Sequence, residues 1–397
     1  MRSKNQLSLL LCTIIVGSLL SMDVQGFIER EYAIHEILDA CTNVVFGEVK
    51  SVDTRRLRGI IKVKENAKGK SNLSEIKMNF ATGHYRRETS PDKMVRLLKK
   101  GMPIIVFYRE HYAIESLGFV NGTWFQTRAH GGGHAASSWW GFTHIDPLMS
   151  RTFKGSTEDF QKIIRAILAG KKWVNTPKDA LKVLVLTGNS TRPMWSQVPV
   201  YTNTVGYEYN AIRSIRKADN RLLAYEATQD SNLPGLDRAN VLWLGQNEIA
   251  SDGYLLSKKA EKKIKRFVKS GGIVVVSGQD SDLEKPCETG WLEGKLKGVE
   301  RPLTQDFKIT KHGQKLFSKP NRIQPGQLYF DDAWTDWDKN YETLATTNGD
   351  KDFVVGTRKF GKGLYIITSM RNDSRGTVAV NKKLIENILT YVANWSS

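Results

Sequence analysis

Asn240–Asp282 reads NVLWLGQNEIASDGYLLSKKAEKKIKRFVKSGGIVVVSGQDSD, and the class of the C-terminal half turns on it. Two apolar runs without alternation, Val241–Leu244 and Ile273–Val276, have the composition of strands buried on both faces. Between them Ala260, Ile264, Phe267 and Val268 recur at i, i+4, i+7 and i+8, which is one face of a helix. Lys258, Lys259, Lys262, Lys263, Lys265, Arg266 and Lys269 occupy the rest of its circumference. Ser257 is placed as the N-cap, and Gly271 falls where a left-handed residue ends a helix. Strand, helix and strand within roughly 35 residues make a βαβ unit, whose right-handed crossover sets the two strands parallel.

Working outward, Lys182–Leu186 and Leu222–Thr228 are two more buried-strand candidates, so four strands alternate with helical or loop segments. That pattern predicts an α/β domain over 181–397 with a doubly wound, mostly parallel, flavodoxin-like sheet. Gln327–Phe330, Phe353–Arg358 and Leu364–Ser369 add later strands. Asn381–Trp395 is a terminal helix lined by Leu384, Ile385, Ile388, Leu389 and Val392.

At the other end, residues 1–26 read as a signal peptide. Arg2 and Lys4 precede the apolar LSLLLCTIIVGSLL, and Val24 and Gly26 supply small residues for cleavage after Gly26. An apolar core of about 14 residues is short for a membrane span. An uncleaved anchor is the alternative, and a lipoprotein through Cys12 is disfavoured because Leu11 precedes it. The expected location is therefore secreted or periplasmic. The 397 residues suit two domains. Of three cysteines, Cys12 leaves with the signal, and Cys41 and Cys287 form neither a disulfide framework nor a metal cluster. A bridge between them and two separate buried thiols both stay open. The formal charge of +18 favours acidic partners: a carbohydrate, a cell-surface polyanion or anionic lipid headgroups. Export sets nucleic acid aside, and a merely solvated basic surface is the plain alternative. No cofactor is called for.

The segment 27–149 opens with a short helix, since Ile34, Ile37, Leu38 and Cys41 share a face. Short strands follow at Asn43–Val52, Gly59–Lys64, Ile76–Phe80, Pro103–Tyr108, His111–Ser116 and Thr123–Thr127, with a helix at Asp92–Lys100. Five or six short strands and one helix predict a small antiparallel β-barrel. The strand Val-Phe-Gly-Glu-Val, the turn at Lys68–Gly69 and Gly101 before a strand resemble a secreted barrel module of the OB or netrin-like type. His130, His134 and His144, around HGGGH and Trp139–Trp140, are candidate zinc or copper ligands. Three glycines between the first two keep them off a common helical face, so a Gly-rich loop with packed tryptophans is favoured. Within 150–180, Phe160, Ile163, Ile164, Ile167 and Leu168 define an amphipathic helix started by Ser156 and Asp159 and ended at Gly170.

The order KVLVLTG, LPGLDRANVLWLG, LSKKAEKKIKRFVKSGGIVVVSG, DDAW and VVGTRKFGKGLYIITSM, then a final helix, resembles the class I glutamine amidotransferase-like superfamily. It is most similar to the trehalose-utilisation (ThuA-like) branch, over about 215 residues. The resemblance implies a cysteine nucleophile at the elbow after Ile273–Val276 for catalytic members, and for the ThuA-like branch a histidine at that elbow and another after the late strand. Here Ser277-Gly278-Gln279-Asp280 and Ser369-Met370-Arg371 stand there instead. Ser277 is a weak nucleophile candidate, because no matched position supplies its base. His312 is the only histidine of this half and falls where the family places a structural turn.

Ligands of open parallel sheets bind beyond the carboxyl ends of the strands. That places Gln246, Gln279 and Asp280 on a rim of amides and carboxylates suited to sugars. Asp331, Asp332, Trp334, Asp336 and Trp337 resemble the acidic segment of the ThuA-like branch; loop capping and core packing are their plain alternative. The expectation is a secreted, non-catalytic binding protein that recognises carbohydrate or a cell-surface partner. The alternative is a hydrolase or sugar-modifying enzyme with Asp280 or Asp331 as acid/base.

Overall fold

In the computed structural model the described residues are 34–82, 90–110, 113–130, 138–147, 149–186, 204–228, 230–245, 256–278, 285–286, 290–372 and 374–395. The chain forms two compact units that divide between Thr157 and Glu158.

The first unit begins with helix α1 (Ile34–Ala40) and strands β1 (Asn43–Asp53), β2 (Arg58–Lys68) and β3 (Glu75–Asn79). Helix α2 (Pro91–Leu97) leads into β4 (Pro103–Glu110), β5 (Ala113–Val120), β6 (Thr123–His130) and β7 (Trp139–Ile145). The strands close a barrel in the order β1-β2-β3-β7-β6-β5-β4. All neighbours are antiparallel except β3 and β7, which run parallel from Lys77 opposite Trp139 to Asn79 opposite Gly141. A ring with an odd number of strands cannot alternate direction all the way round, so one parallel pair is obligatory. The sequence expectation of five or six strands missed β7, because the glycines of HGGGH beside it read as loop. Val45, Ile61, Met78, Ile104, Val106, Phe125 and Trp140 fill the interior. Gly118 is required there: a Cβ on it would stand 2.0 Å from the Phe125 ring.

Helix α3 (Thr157–Leu168) carries the chain into the second unit. There follow β8 (Leu181–Leu186), α4 (Thr204–Ser214), β9 (Lys217–Ala218), β10 (Arg221–Thr228), β11 (Val241–Leu244), α5 (Lys258–Lys269) and β12 (Ile273–Val276). The later elements are β13 (Lys285–Pro286), β14 (Lys297–Val299), β15 (Lys308–Ile309), β16 (Ala333–Thr335), β17 (Tyr341–Thr347), β18 (Asp352–Phe360), β19 (Gly363–Thr368) and α6 (Arg375–Ala393). They build a mixed sheet whose centre is five parallel strands, β10-β8-β11-β12-β19. Taken in chain order those five stand 2-1-3-4-5, the flavodoxin-like arrangement. Antiparallel strands extend the sheet beyond β19 through β18, and β9 closes the other edge.

Period-2 side-chain alternation sorts the central strands into two layers. Val183, Val185, Val241, Trp243, Ile273, Val275 and Ile366 face Tyr209 and Ile212 of α4 and Leu384, Ile385 and Ile388 of α6. Leu184, Leu242, Leu244, Val274, Val276 and Ile367 face Ala260, Ile264 and Val268 of α5. Full burial of one Ile or Val side chain contributes about 1.5–3 kcal/mol. Helix α5 forms where its pattern predicts: the Ser257 hydroxyl accepts from the Ala260 N–H, and Gly271 turns the chain at φ +114°. Gln327–Phe330 is not a strand; Phe330 makes only isolated bridges to Thr304 and Met370. The terminal helix starts at Arg375, earlier than expected, because Ser374 and Thr377 form a reciprocal capping box. Among the described residues no helix is long and apolar enough to cross a membrane.

Candidate functional site

The carboxyl ends of β11, β12 and β19 bring Gly245, Ser277 and the segment 369–372 together at one end of the second unit. Ser277 directly follows β12 and is 0 % exposed. Its hydroxyl donates to Glu208 Oε2 at 2.6 Å, with the Leu244 carbonyl a second acceptor at 3.3 Å. Glu208 belongs to α4 and is 1 % exposed. Trp243 Nε1 donates to the same carboxyl oxygen at 3.3 Å, and Asn372 Nδ2 donates to the other. Burial pushes the Glu208 carboxyl up to about 7, against the opposing pull of the Ser277, Asn372 and Trp243 hydrogen bonds.

Further hydrogen bonds lock the surrounding backbone. Thr368 Oγ1 donates to the Ser277 carbonyl at 2.7 Å. Asn381 on α6 donates to the carbonyls of Arg371 at 2.7 Å and Tyr329 at 2.9 Å, and to Asn372 Oδ1 at 3.3 Å. Two helices and three strands thus meet on one polar knot inside an apolar layer. Every member that drops out leaves a buried group unpaired.

No position matched by the resemblance supplies a base for Ser277; the structure sets the Glu208 carboxyl beside it. It was missed because α4 was not foreseen, although Val205, Glu208, Tyr209 and Ile212 lie at i, i+3, i+4 and i+7. That spacing puts a carboxyl on the apolar face of a helix, which is a legible signal for a buried acid. His312, the only histidine of this half of the sequence, has Nδ1 2.9 Å from Glu342 Oε1 on β17.

The remaining candidates separate. Asp331 lies at the rim: its N–H donates to the Ser369 carbonyl at 3.0 Å, and its carboxylate accepts from Arg371 Nη1 at 2.7 Å. Both side chains keep partial exposure, 22 % for Asp331 and 32 % for Arg371. Asp332 does not share this position. Its backbone is left-handed at φ +61°, which turns the carboxylate onto the Arg301 N–H at 2.9 Å. Trp334 is 0 % exposed and stacks with Phe353 inside the apolar layer under α5, so it presents no face to a ligand. Trp337 packs edge-on against the same ring at 5.0 Å. Packing and capping, the plain readings of this segment, hold for Asp332 and Trp334. Gln246, Gln279, Asp280 and His134 lie outside the described residues, as does the side chain of His130.

No group of three metal-ligating side chains exists among the described residues. His144 is paired across the β6–β7 ladder with Gln126, while His130 is four residues further along β6. Their backbones are therefore separated by roughly 13 Å along the strand direction, at about 3.3 Å per residue. His144 has Asp146 as a neighbour, at 4.0 Å.

No family model matches this sequence, and no curated protein matches it either. Among solved structures the chain is similar to a ThuA-like protein from Parabacteroides merdae, at 12% identity over 55% of this chain and 90% of that one, with a TM-score of 0.34. It is similar to a cytoplasmic protein from Salmonella typhimurium, at 12% identity, 53% and 98% coverage and a TM-score of 0.34. It is also similar to the β-galactosidase from Rahnella sp. R3, at 15% identity, 66% and 36% coverage and a TM-score of 0.35. The chain thus matches only 36% of the length of that enzyme.

Proposed function

We propose that the chain is a secreted, non-catalytic binding protein with a ThuA-like, class I amidotransferase-like C-terminal domain. Its carboxyl-end rim recognises a carbohydrate or a cell-surface partner. The closed elbow carries this reading. Ser277 has an acceptor for its proton but no exposure, and its hydroxyl is committed to a buried carboxyl. A nucleophile must reach a substrate carbonyl or anomeric carbon, and this one is packed behind the strand ends.

At the rim the part-exposed pair is Asp331 with Arg371, an acceptor beside a donor, which suits adjacent sugar hydroxyls. Glycan-array screening followed by calorimetry tests the reading. Removing a charged hydrogen-bond partner costs about 1.5–3 kcal/mol, roughly tenfold to a hundredfold in affinity. Asp331→Ala should weaken the selected glycan by that factor, and unchanged affinity would end the rim assignment.

The second reading is a hydrolase or sugar-modifying enzyme. One observation favours it: a carboxyl pushed up to about 7 stands 2.6 Å from a hydroxyl, the poise of a general base. Turnover of a polysaccharide that disappears in Glu208→Gln would establish it in place of the first.

A further inference from the structure

A surface of the second unit away from the polar knot carries a different signal. On α5 the apolar face, Ala260, Ile264 and Val268, is buried against the sheet. Opposite it, Lys259, Lys262, Arg266 and Lys269 recur at i, i+3, i+7 and i+10, all exposed. At 1.5 Å per residue they form a straight line of positive charge roughly 15 Å long. Lys362 extends the line, since its exposed residue donates its N–H to the Lys269 carbonyl at 3.1 Å.

These five differ from their neighbours on the same helix. Lys258 pairs with Glu261 at 3.0 Å and Lys265 with Glu293 at 2.5 Å. Lys263 gives its ammonium to the carbonyls of Asn232 and Leu233. Among the described residues, Lys259, Lys262, Arg266, Lys269 and Lys362 make no ion pair. Like charges held in a row without counter-charges repel one another, and a bound polyanion removes that repulsion.

Beside the C-terminal half of the line lies a cavity of about 570 Å³, lined by Asp237, Asn240, Lys263, Arg266, Phe267 and Ser270 among others. Its size falls in the range of small-molecule sites. Two cations outweigh one carboxylate there, amide and hydroxyl groups are at hand, and Phe267 supplies an apolar wall. Arg266 belongs to both features, so the line of charge leads into the cavity.

We infer that α5 is a docking surface for an acidic polysaccharide, whose anionic groups follow the lysine line while one sugar unit enters the cavity. A bilayer fits less well. Membrane-surface helices set apolar side chains beside their cations, and the large exposed hydrophobic residues described here, Trp139, Leu168, Leu222 and Leu303, are all off α5. A flat surface also cannot enter a concavity. Single-stranded nucleic acid would ask for exposed aromatic platforms along the line, and the rings described nearby, Phe267 and Phe360, are both half-buried. The inference goes beyond the rim reading and stands on separate residues.

Purified full chain is titrated with heparin (sulfated) and with alginate (carboxylated), across a salt series and with thermal unfolding in parallel. Binding should occur at low salt and weaken steeply as ions screen it. The variant Lys259→Ala/Lys262→Ala/Arg266→Ala/Lys269→Ala should bind roughly tenfold or more weakly with an unshifted Tm. The control Lys258→Ala/Lys265→Ala, which removes ion-paired lysines, should lose far less. The fourfold variant should still bind the glycan selected by the rim like wild type, which separates this site from the rim. Preference for heparin or for alginate identifies sulfate or carboxylate as the bound group. Equal binding by the fourfold variant, absence of binding at low salt, or tighter binding to phosphatidylserine vesicles or single-stranded DNA would overturn the inference.

Discussion

Ser277 Oγ donates to Glu208 Oε2 at 2.6 Å, with both residues buried at the carboxyl end of the parallel strands. The strand-end hydroxyl and the helix carboxyl hold each other out of solvent. Trp243 and Asn372 complete the shell around the carboxyl. Burial raises the carboxyl above its ordinary 4.5 to about 7, so folding and protonation are linked.

The sign follows from the direction of the shift. Below pH 4.5 both folded and unfolded chains hold the Glu208 proton, and its contribution to stability is fully present. As pH rises through about 7 the unfolded chain ionises first, and that contribution is lost. A shift of this size corresponds to something on the order of 3 kcal/mol. Glu208→Gln cannot ionise, so its unfolding free energy should fall less than that of wild type between these pH values. Urea unfolding at a series of pH values measures the difference, and parallel curves would contradict the raised carboxyl.

Asp331 and Asp332 are neighbours with opposite roles. Asp332 holds a left-handed backbone and caps the Arg301 N–H. Asp332→Ala should cost about 1–3 kcal/mol of stability, while Asp332→Asn, which tolerates the same backbone and keeps an oxygen acceptor, should cost much less. Asp331→Ala removes a part-exposed ion pair and should change stability by about 0–1 kcal/mol. Chemical denaturation of the three variants tests the order. Equal losses at 331 and 332 would contradict it.

Cys41, directly after α1, is a free, buried thiol whose Sγ donates to the Leu38 carbonyl at 3.4 Å. Burial pushes the thiol up to about 12, although the Lys68 charge pulls it down. The thiolate is the reactive species, so Cys41 should resist an aromatic disulfide reagent in the native chain and react on unfolding. Rapid native modification mapped to Cys41 would contradict this.

Much of the fold is legible in particular residues. Val241–Leu244 and Ile273–Val276 read as parallel strands because burial on both faces removes every polar residue from them. Ser257 and Gly271 mark the ends of α5 by mechanisms that act within a few residues. Strand β7 is harder to read, since its polar flank is glycine-rich and its pairing with β3 joins residues about sixty apart in sequence. The site is harder still. Ser277 was visible at the end of its strand, but Glu208 meets it only through tertiary packing across 69 positions. Trp334 could not be told from a sugar-stacking residue by type alone. Only its position under α5, beside Phe353, decides that it packs.

The closed elbow is tested most directly by a fluorophosphonate probe applied to the native full-length chain, with the site of any adduct mapped by mass spectrometry. With Ser277 at 0 % exposure and its hydroxyl bound to Glu208, no adduct on Ser277 is expected. A stoichiometric adduct at Ser277, lost in Ser277→Ala, would contradict a non-catalytic protein and identify the Ser277–Glu208 pair as a working nucleophile and base.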